Sequence, residues 1–193
     1  MLSTLILPTN GEVKINGLDI IKDRQKIKEI LNVSPQETAI APNLSVKENL
    51  EFMAGVYQIS NKKEKIKALI EMFKLDEVLN QKAKTLSGGW QRKVSIAISL
   101  INEPKILFLD EPTLGLDVIA RKELWAIIEK LKGKITIILT THYMEEAESL
   151  SDRIGIMAKG RLVDIGTSQE LIEKTNAKNF EDAFVKIATG GEL

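Results

Sequence analysis

The feature that most constrains this chain is a short apolar run that ends in two adjacent carboxylates. Residues 106–109 are all apolar, which predicts a strand buried on both faces, as in a parallel sheet. Asp110 and Glu111 follow where that strand should end, and ligands of open α/β sheets bind at the carboxyl ends of strands. In an extended chain these two side chains point to opposite sides, so one can hold a metal ion while the other faces a water molecule. The ordinary alternative is an acidic loop after a strand.

The residues after the carboxylates predict a turn and then a helix. Pro112 ends the strand, Gly115 allows a sharp turn, and Asp117 can cap the helix that follows. The apolar stripe of that helix consists of Leu124, Ile127, Ile128 and Leu131. This stretch therefore predicts a buried strand, an acidic loop and an amphipathic helix in succession.

Composition narrows the classes of partner that this chain can have. Lys+Arg and Asp+Glu both number 27, so net charge gives no support to a nucleic-acid partner or an anionic surface. The chain has no Cys, which excludes disulfides and thiol chemistry and fits a reducing compartment. The longest apolar runs, such as residues 135–139, have the length of core strands. We therefore expect a soluble chain whose connection to a membrane comes through a partner.

The first forty residues predict short elements that lead to a loop at a strand's end. Residues 1–7 have the pattern of the last turns of a helix ended by Pro8. Residues 12–16 alternate polar and apolar side chains, as an exposed strand does. A short charged helix over 23–29 and a strand over 30–33 follow, and Gln36 lies in the loop beyond that strand.

Residues 41–85 contain no clear strand pattern and predict a helical region. Ser45 with Glu48 three residues later forms a capping box at the start of one helix, and Asn61 opens a second. Together with the helix that opens at Ser87, this predicts a helical subdomain at about residues 41–100, inserted into an α/β chain. The apolar stripes of these helices are assigned to the core.

The last third of the chain predicts a strand, a hairpin and two helices. The strand over 135–140 brings Thr141 and His142 to its carboxyl end. Strands over 153–158 and 161–165 flank the turn Lys159-Gly160, which is typical of a hairpin. Helices are predicted to begin at Ser168 and to cover residues 180–188.

Three further features are candidate binding groups, and each has an ordinary alternative. Ser87-Gly88-Gly89 at a helix start exposes backbone N–H groups and adds a hydroxyl, which suits a phosphate, although many Gly-rich caps bind nothing. Gln36 at a strand end can contact a metal ion or its water, although a loop Gln is usually only solvated. His142 is the single His of the chain, so a chance surface position is the alternative there.

The order and spacing of these motifs resemble the nucleotide-binding domain of an ABC transporter. The matching segments are Gln36 (Q-loop), Leu86 to Gly89 (signature), Ile106 to Pro112 (Walker B and glutamate), Gly115 to Asp117 (D-loop) and His142 (switch). Residues 8–13 and 180–184 also match, and the tail and the surroundings of Gln36 are most similar to prokaryotic exporters of the multidrug type. The resemblance implies one ABC ATPase domain over 1–193: a P-loop NTPase-like α/β core with a mostly parallel sheet and an inserted helical subdomain.

The resemblance also implies roles, partners and a location. Two such domains dimerise head to tail, as a homodimer or heterodimer, and close over ATP and Mg²⁺. Asp110 would hold Mg²⁺ through water, and Gln36 would sense the metal and a transmembrane permease subunit. Glu111 would polarise the attacking water, and His142 would touch the γ-phosphate. Further nucleotide contacts fall to Ser87, Gly88 and Gly89, which complete the opposite subunit's site, and to Asp117 of the D-loop. A cytoplasmic position on the inner face of the cell membrane follows, with no nucleic-acid partner.

One motif of the family has no counterpart in these 193 residues. A G-x-x-x-x-G-K-[ST] loop should precede the other motifs, and the only Gly-Lys pair, Gly133-Lys134, enters a predicted strand. Residues 1–7 resemble the end of the helix that such a loop would open. We therefore expect an ABC ATPase segment that begins just after its P-loop and lacks the early strands. Trp90 is a smaller departure, because the family usually has a polar residue or Met there.

Three functions remain open on the sequence. The first is the ATPase subunit of an export complex. The second is a subunit that lends Ser87 to Gly89 to an intact partner but cannot bind ATP in its own site, or a truncated gene product. The third is a soluble ABC ATPase of DNA repair or translation. Repair ATPases insert a long coiled coil between Q-loop and signature, and ribosomal relatives carry two domains; this chain shows neither pattern.

Overall fold

The computed structural model describes residues 1–190, which form an α/β structure divided into two compact units. The first unit, Met1–Thr140, contains β1 Lys14–Ile15, β2 Leu18–Asp19, α1 Arg24–Ile30, β3 Leu31–Ser34, α2 Val46–Val56, α3 Lys62–Phe73, α4 Gly88–Ser99, β4 Ile106–Asp110, α5 Val118–Leu131 and β5 Thr136–Thr140. Short 3₁₀ turns cover Leu75–Val78 and Ala83–Thr85. The second unit, which begins at Thr141, contains α6 Met144–Leu150, β6 Ile154–Ala158, β7 Arg161–Gly166, α7 Ser168–Thr175 and α8 Phe180–Thr189.

A three-stranded parallel sheet in the order β3-β4-β5 is the centre of the first unit. Its register pairs Ser34 with Leu109 and Asp110 with Thr140. The carboxyl ends of all three strands therefore lie along one edge of the sheet. This confirms the predicted α/β fold with a parallel sheet and puts the acidic stretch at that edge.

The two faces of the central strand are buried to different degrees. Leu107 and Leu109 are fully buried, whereas Ile106 and Phe108 are only partly so. The prediction of a strand buried on both faces is thus correct for one face only. Ile106 and Phe108 pack against a small cluster drawn from β1, β2, α1 and β3, namely Ile15, Ile20, Ile27 and Leu31, and these short elements cover them incompletely.

The helices of the first unit begin where the capping signals predict. Ser45 accepts from the N–H of Glu48, whose carboxylate accepts from the N–H of Ser45, so the capping box of α2 is complete. Asp117 caps α5, and Asn61 precedes α3 without a side-chain cap. No strand lies within residues 41–85, as predicted; a separate helical subdomain at about 41–100 stays a prediction.

The N-terminal segment differs from the prediction. Residues 1–7 form turns and not the end of a helix, with Thr4 in the left-handed region at φ +62° and its N–H donating to the carbonyl of Met1. Leu5, Ile6 and Leu7 are exposed. Helices this short are not stable in water without packing, and these side chains have none. The strand predicted over 12–16 is limited to β1, which turns into β2 through Asn16-Gly17.

The second unit confirms the predicted hairpin and helices. β6 and β7 pair antiparallel around Lys159 and Gly160, whose positive φ angles suit the turn. α7 and α8 follow, and the core of this unit consists of Ala147, Ile154, Ile156, Leu171 and Phe180. Among residues 1–190, no helix combines the length and the apolar character that a membrane span requires.

Candidate functional site

Asp110 and Glu111 are held by Thr140, the last residue of the neighbouring strand. Asp110 ends β4 with an exposed side chain, and its Oδ1 accepts from the hydroxyl of Thr140 at 2.5 Å. The backbone N–H of Glu111 donates to the carbonyl oxygen of Thr140 at 3.1 Å. The end of β5 therefore fixes both the side chain of Asp110 and the backbone of Glu111.

Glu111 lies on strained backbone. Its φ is +45°, in the left-handed region that costs a non-Gly residue roughly 1–2 kcal/mol. The sequence predicts an extended chain through Asp110 and Glu111, but the extended conformation ends at Asp110. Such strain persists where surrounding contacts determine the conformation. Here the N–H of Glu111 bonds to Thr140, and its carbonyl accepts from Arg92 Nη2 at 2.7 Å.

The loop that carries Gln36 is held to the same place. Gln36 is exposed and lies two residues after the end of β3. The carbonyl of Pro35, the residue before it, accepts from Arg92 Nη1 at 2.6 Å. The structure thus brings together three predicted positions, the Gln36 loop, Asp110 and Glu111, at the carboxyl edge of the sheet.

The signature residues lie at the N-terminus of α4. Ser87 is the exposed N-cap, and its side chain makes no capping hydrogen bond. Gly88 is exposed and Gly89 half-buried, and a Cβ on Gly89 would come within 3.1 Å of the Cβ of Ala120 in α5. A side chain at this position would require α4 or Ala120 to shift by a few tenths of an ångström. The hydroxyl of Ser87 and the first amides of α4 are arranged as an anion-binding helix start requires.

Trp90 contacts Lys93, one turn further along α4. Lys93 Nζ lies 4.4 Å from the centroid of the Trp90 ring and 2.6 Å from Glu123 Oε2 in α5. This hydrogen bond from Lys93 lowers the pKa of Glu123 below its ordinary value. Trp90 therefore takes part in the packing of α4 against α5, beside the signature.

Asp117 caps the N-terminus of α5. Its Oδ1 accepts from the N–H groups of Ile119 at 2.9 Å and Ala120 at 3.0 Å. These bonds, led by the one from Ala120, lower the pKa of Asp117. Val118 and Ile119 beside it are exposed, Ile119 by 73%. The D-loop thus presents two aliphatic side chains to solvent at the start of α5.

His142 belongs to the second unit. It is exposed, and its ring centroid lies 4.2 Å from that of Tyr143. The N–H of Tyr143 donates to the hydroxyl of Thr141 at 3.0 Å, which orders the backbone on either side of His142.

The residues at the sheet edge fit Mg²⁺ that is bound together with a phosphate substrate. Within residues 1–190 no group of three or more His, Cys, Asp or Glu side chains could hold a metal ion. Mg²⁺ usually keeps several waters and uses one or two carboxylates plus substrate phosphates. A single exposed carboxylate at a strand end, that of Asp110, matches this mode of binding.

Two residues of the site, Arg92 and Thr140, were missed in the sequence analysis. Arg92 is a charged residue beside the apolar stripe of α4. Because Arg is rarely fully buried unless its donors are paired, this position could have indicated an arginine with specific partners. Thr140 is an ordinary strand residue in the sequence, and only the register of β5 against β4 reveals its place.

Comparisons with known proteins define the class. The family model described as "ABC transporter" matches residues 1–114, so this chain belongs to the ABC transporter family. The chain is 42% identical over 179 residues to the human phospholipid-transporting ATPase ABCA3, covering 92% of this chain and 10% of that protein. It is 34% identical to the daunorubicin resistance ATP-binding protein DrrA3 of Streptomyces coeruleorubidus, covering all of this chain and 61% of that protein.

Solved structures agree with these sequence relatives. An ATP-binding subunit of an ABC transporter superposes with a TM-score of 0.83 at 25% identity, covering 96% of this chain and 80% of that one. The ATP-binding cassette MJ0796, in a dimeric post-hydrolysis state with ADP and Pi, superposes with a TM-score of 0.75 at 26% identity, covering 86% and 76%. The resemblance read from the motifs is therefore confirmed.

Proposed function

We propose that this chain binds and hydrolyses ATP as part of an ABC exporter, coupling hydrolysis to transport through a separate membrane subunit. The observation that carries the proposal is the joined edge of the sheet, where Asp110, Glu111 and the Gln36 loop are tied to one another through Thr140 and Arg92. The chain spans a tenth of ABCA3 and 61% of DrrA3. The activity and partners of the whole protein therefore belong to the proposal.

The side chains divide the reaction among them. Glu111 orients the attacking water and accepts its proton, while the exposed carboxylate of Asp110 holds the metal ion through water. Bound Mg²⁺ supplies positive charge that neutralises the phosphate oxygens. Gln36 contacts the metal ion or its water from the neighbouring loop, and His142 contacts the γ-phosphate. Catalysis of this kind depends mainly on positioning and charge.

A second copy or a related domain completes each site. Ser87 is exposed and its side chain makes no capping hydrogen bond, and Gly88 is exposed as well. Together with Gly89, these residues suit contact with the nucleotide of a partner. Exposed Val118 and Ile119 beside Asp117 offer an apolar contact for dimerisation.

A membrane subunit is the second partner that we propose. Phe52 and Val56 are one turn apart on α2 and both exposed, Phe52 by 59%. Large apolar side chains paired on one helix face often mark a docking surface. We assign this surface to a transmembrane permease subunit, which puts the chain on the cytoplasmic face of the cell membrane.

The test is ATP hydrolysis by a fusion in which a G-x-x-x-x-G-K-[ST] segment and its strand precede residue 1. We expect Mg²⁺-dependent hydrolysis that Glu111→Gln lowers by about 10²-fold or more, because the amide keeps the size of the side chain but cannot accept the proton. Binding of ATP should be preserved. Glu37→Gln, an exposed carboxylate of the nearby loop, is the matched control and should keep full turnover. Unchanged turnover of Glu111→Gln would contradict the assignment of Glu111.

The second candidate is the alternative named in the sequence analysis, a subunit that completes a partner's site but cannot bind ATP in its own. The 193 residues contain no G-x-x-x-x-G-K-[ST] pattern, and thus neither the amide cradle nor the Lys that such a loop gives to the phosphates. We predict that a chain of these residues alone does not bind MgATP tightly. Isothermal titration that gave micromolar affinity would contradict this prediction.

A further inference from the structure

Arg92 is a buried cation whose guanidinium is bonded to backbone carbonyls. It lies in α4, five residues after Ser87, and is 3% exposed. Nη1 donates to the carbonyl of Pro35 at 2.6 Å, and Nη2 donates to the carbonyls of Glu111 at 2.7 Å and Asp110 at 3.4 Å. Burial of a cation is unfavourable unless its donors are satisfied, so this set of bonds explains how Arg92 can lie inside the fold.

These bonds continue the sheet beyond the point where its ladder ends. β3 and β4 pair from Leu31 with Ile106 to Ser34 with Leu109. After Ser34 and Leu109 no ladder pair joins β3 to β4. Gln36 and Glu111 lie in the segments just past this point. One planar guanidinium then connects the two departing loops, because its two terminal nitrogens donate in different directions.

Arg92 also acts on the strained residue. Glu111 is held in the left-handed region by a bond to each side of its backbone, the N–H to Thr140 and the carbonyl to Arg92. If either hydrogen bond is removed, only the other one holds Glu111 in the left-handed conformation. The position of the Glu111 carboxylate therefore depends on Arg92, which acts through the backbone of Glu111.

We propose that Arg92 is a positioning residue that fixes the Gln36 loop relative to Glu111, and that it does so by bridging and not by its charge. This rests on the proposed function, in which Gln36 and Glu111 serve the same ATP. A near-attack geometry requires atoms placed to a fraction of an ångström, and a displacement of 1 Å can cost about 10²-fold in rate. Lys at this position keeps the charge but donates from a single nitrogen, so it loses the separate Nη1 and Nη2 contacts to the two loops.

The first measurement is hydrogen exchange of the 193-residue chain. We expect the amide of Glu111, which donates to the carbonyl of Thr140, to exchange about 10-fold faster or more in Arg92→Gln and Arg92→Lys. Lys93→Gln is the control, since Lys93 is a neighbouring buried cation on the same helix whose side chain contacts Trp90 and Glu123. It should lower the melting temperature without a selective change at this amide.

The second measurement is steady-state hydrolysis by the P-loop fusion described above. Both Arg92 variants should lower kcat by about 10²-fold with KM for ATP within about 2-fold of the parent. Lys93→Gln should retain kcat below its melting temperature. Because a loss of active protein also lowers the apparent kcat at unchanged KM, kcat is expressed per folded molecule, counted by circular dichroism. A merely structural Arg92 would leave that value unchanged.

Three results would overturn the proposal: unchanged exchange at Glu111, full kcat in Arg92→Lys, or a uniform loss of protection over the whole chain. If Arg92→Gln fails to fold, Arg92→Lys alone decides, because it keeps the buried charge. If the parent fusion hydrolyses no ATP, the proposed function fails. The exchange measurement then still decides whether Arg92 fixes the backbone at Glu111.

Discussion

At the residue scale, the geometry of Asp110 and Glu111 depends on atoms contributed by other elements. Thr140 reaches Asp110 from β5, and Arg92 reaches Glu111 from α4. Neither contact involves a residue near the carboxylates in the sequence. A short-range motif thus functions only when the sheet register and the helix position are both correct.

Removing the hydroxyl of Thr140 should misplace Asp110. Thr140→Val keeps the shape and the β-branched side chain but deletes the donor to Asp110 Oδ1. We expect kcat of the P-loop fusion to fall about 10-fold through lost positioning, with a nearly unchanged melting temperature. Thr136→Val at the exposed opposite end of β5 is the matched control. Equal activity in the two variants would show that the hydroxyl of Thr140 does not matter.

At the element scale, α4 shows where sequence patterns stop being informative. The apolar stripe predicts one buried face for α4, yet every residue from Arg92 to Ser99 is buried. The polar members find partners in different ways: Ser95 Oγ lies 3.5 Å from Ser34 Oγ in β3, whereas Ser99 donates to the carbonyl of Ile96 within α4. Periodicity detects the apolar face, but partners from distant strands decide whether polar side chains can be buried as well.

The start of α5 should make stability depend on acid pH. The bonds from Ala120 and Ile119 hold the pKa of Asp117 below its ordinary value. This contribution is therefore fully present above the unfolded pKa of about 4 and is lost as pH falls through the lowered folded value. Asp117→Ala should lower the melting temperature by about 2–4 °C at pH 7.

Asp117→Asn separates the cap from its charge. Asn retains a capping oxygen but does not titrate. Its melting temperature at pH 7 should stay near that of the parent and fall less between pH 5 and pH 3. Thermal unfolding followed by circular dichroism measures both variants. The same acid sensitivity in Asp117→Asn and the parent would contradict this account.

At the scale of the whole molecule, the order of motifs was enough to identify the family. Gln36, Ser87 to Gly89, Asp110 and His142 follow one another in the family's order, which no single motif could establish, and relatives match 92% of the chain or more. The N-terminus was predicted wrongly because residues 1–7 have a helical pattern but their large apolar side chains are exposed. Local preference is weak when no core is available to reinforce it.

A mixed dimer tests how two copies share their sites. In the head-to-tail arrangement, a P-loop fusion with Ser87→Arg that is paired with one carrying Glu111→Gln keeps one whole site, because both changes fall in the other. About half of the parent activity should survive, if the two sites fire independently. Each variant as a homodimer is the control and should be inactive. If every chain used its own signature, both sites of the mixed dimer would be damaged and no activity would remain.

At Glu111, selection for a stable fold and selection for use of the carboxylate favour different residues. Asn and Gly adopt positive φ more readily than Glu, so selection for a more stable fold alone would replace this residue. Keeping Glu on left-handed backbone is worthwhile only while its carboxylate is used. A lineage that stopped hydrolysing ATP would be free to relax position 111 early, and the amino acid found there would then record whether its ancestors still carried out the reaction.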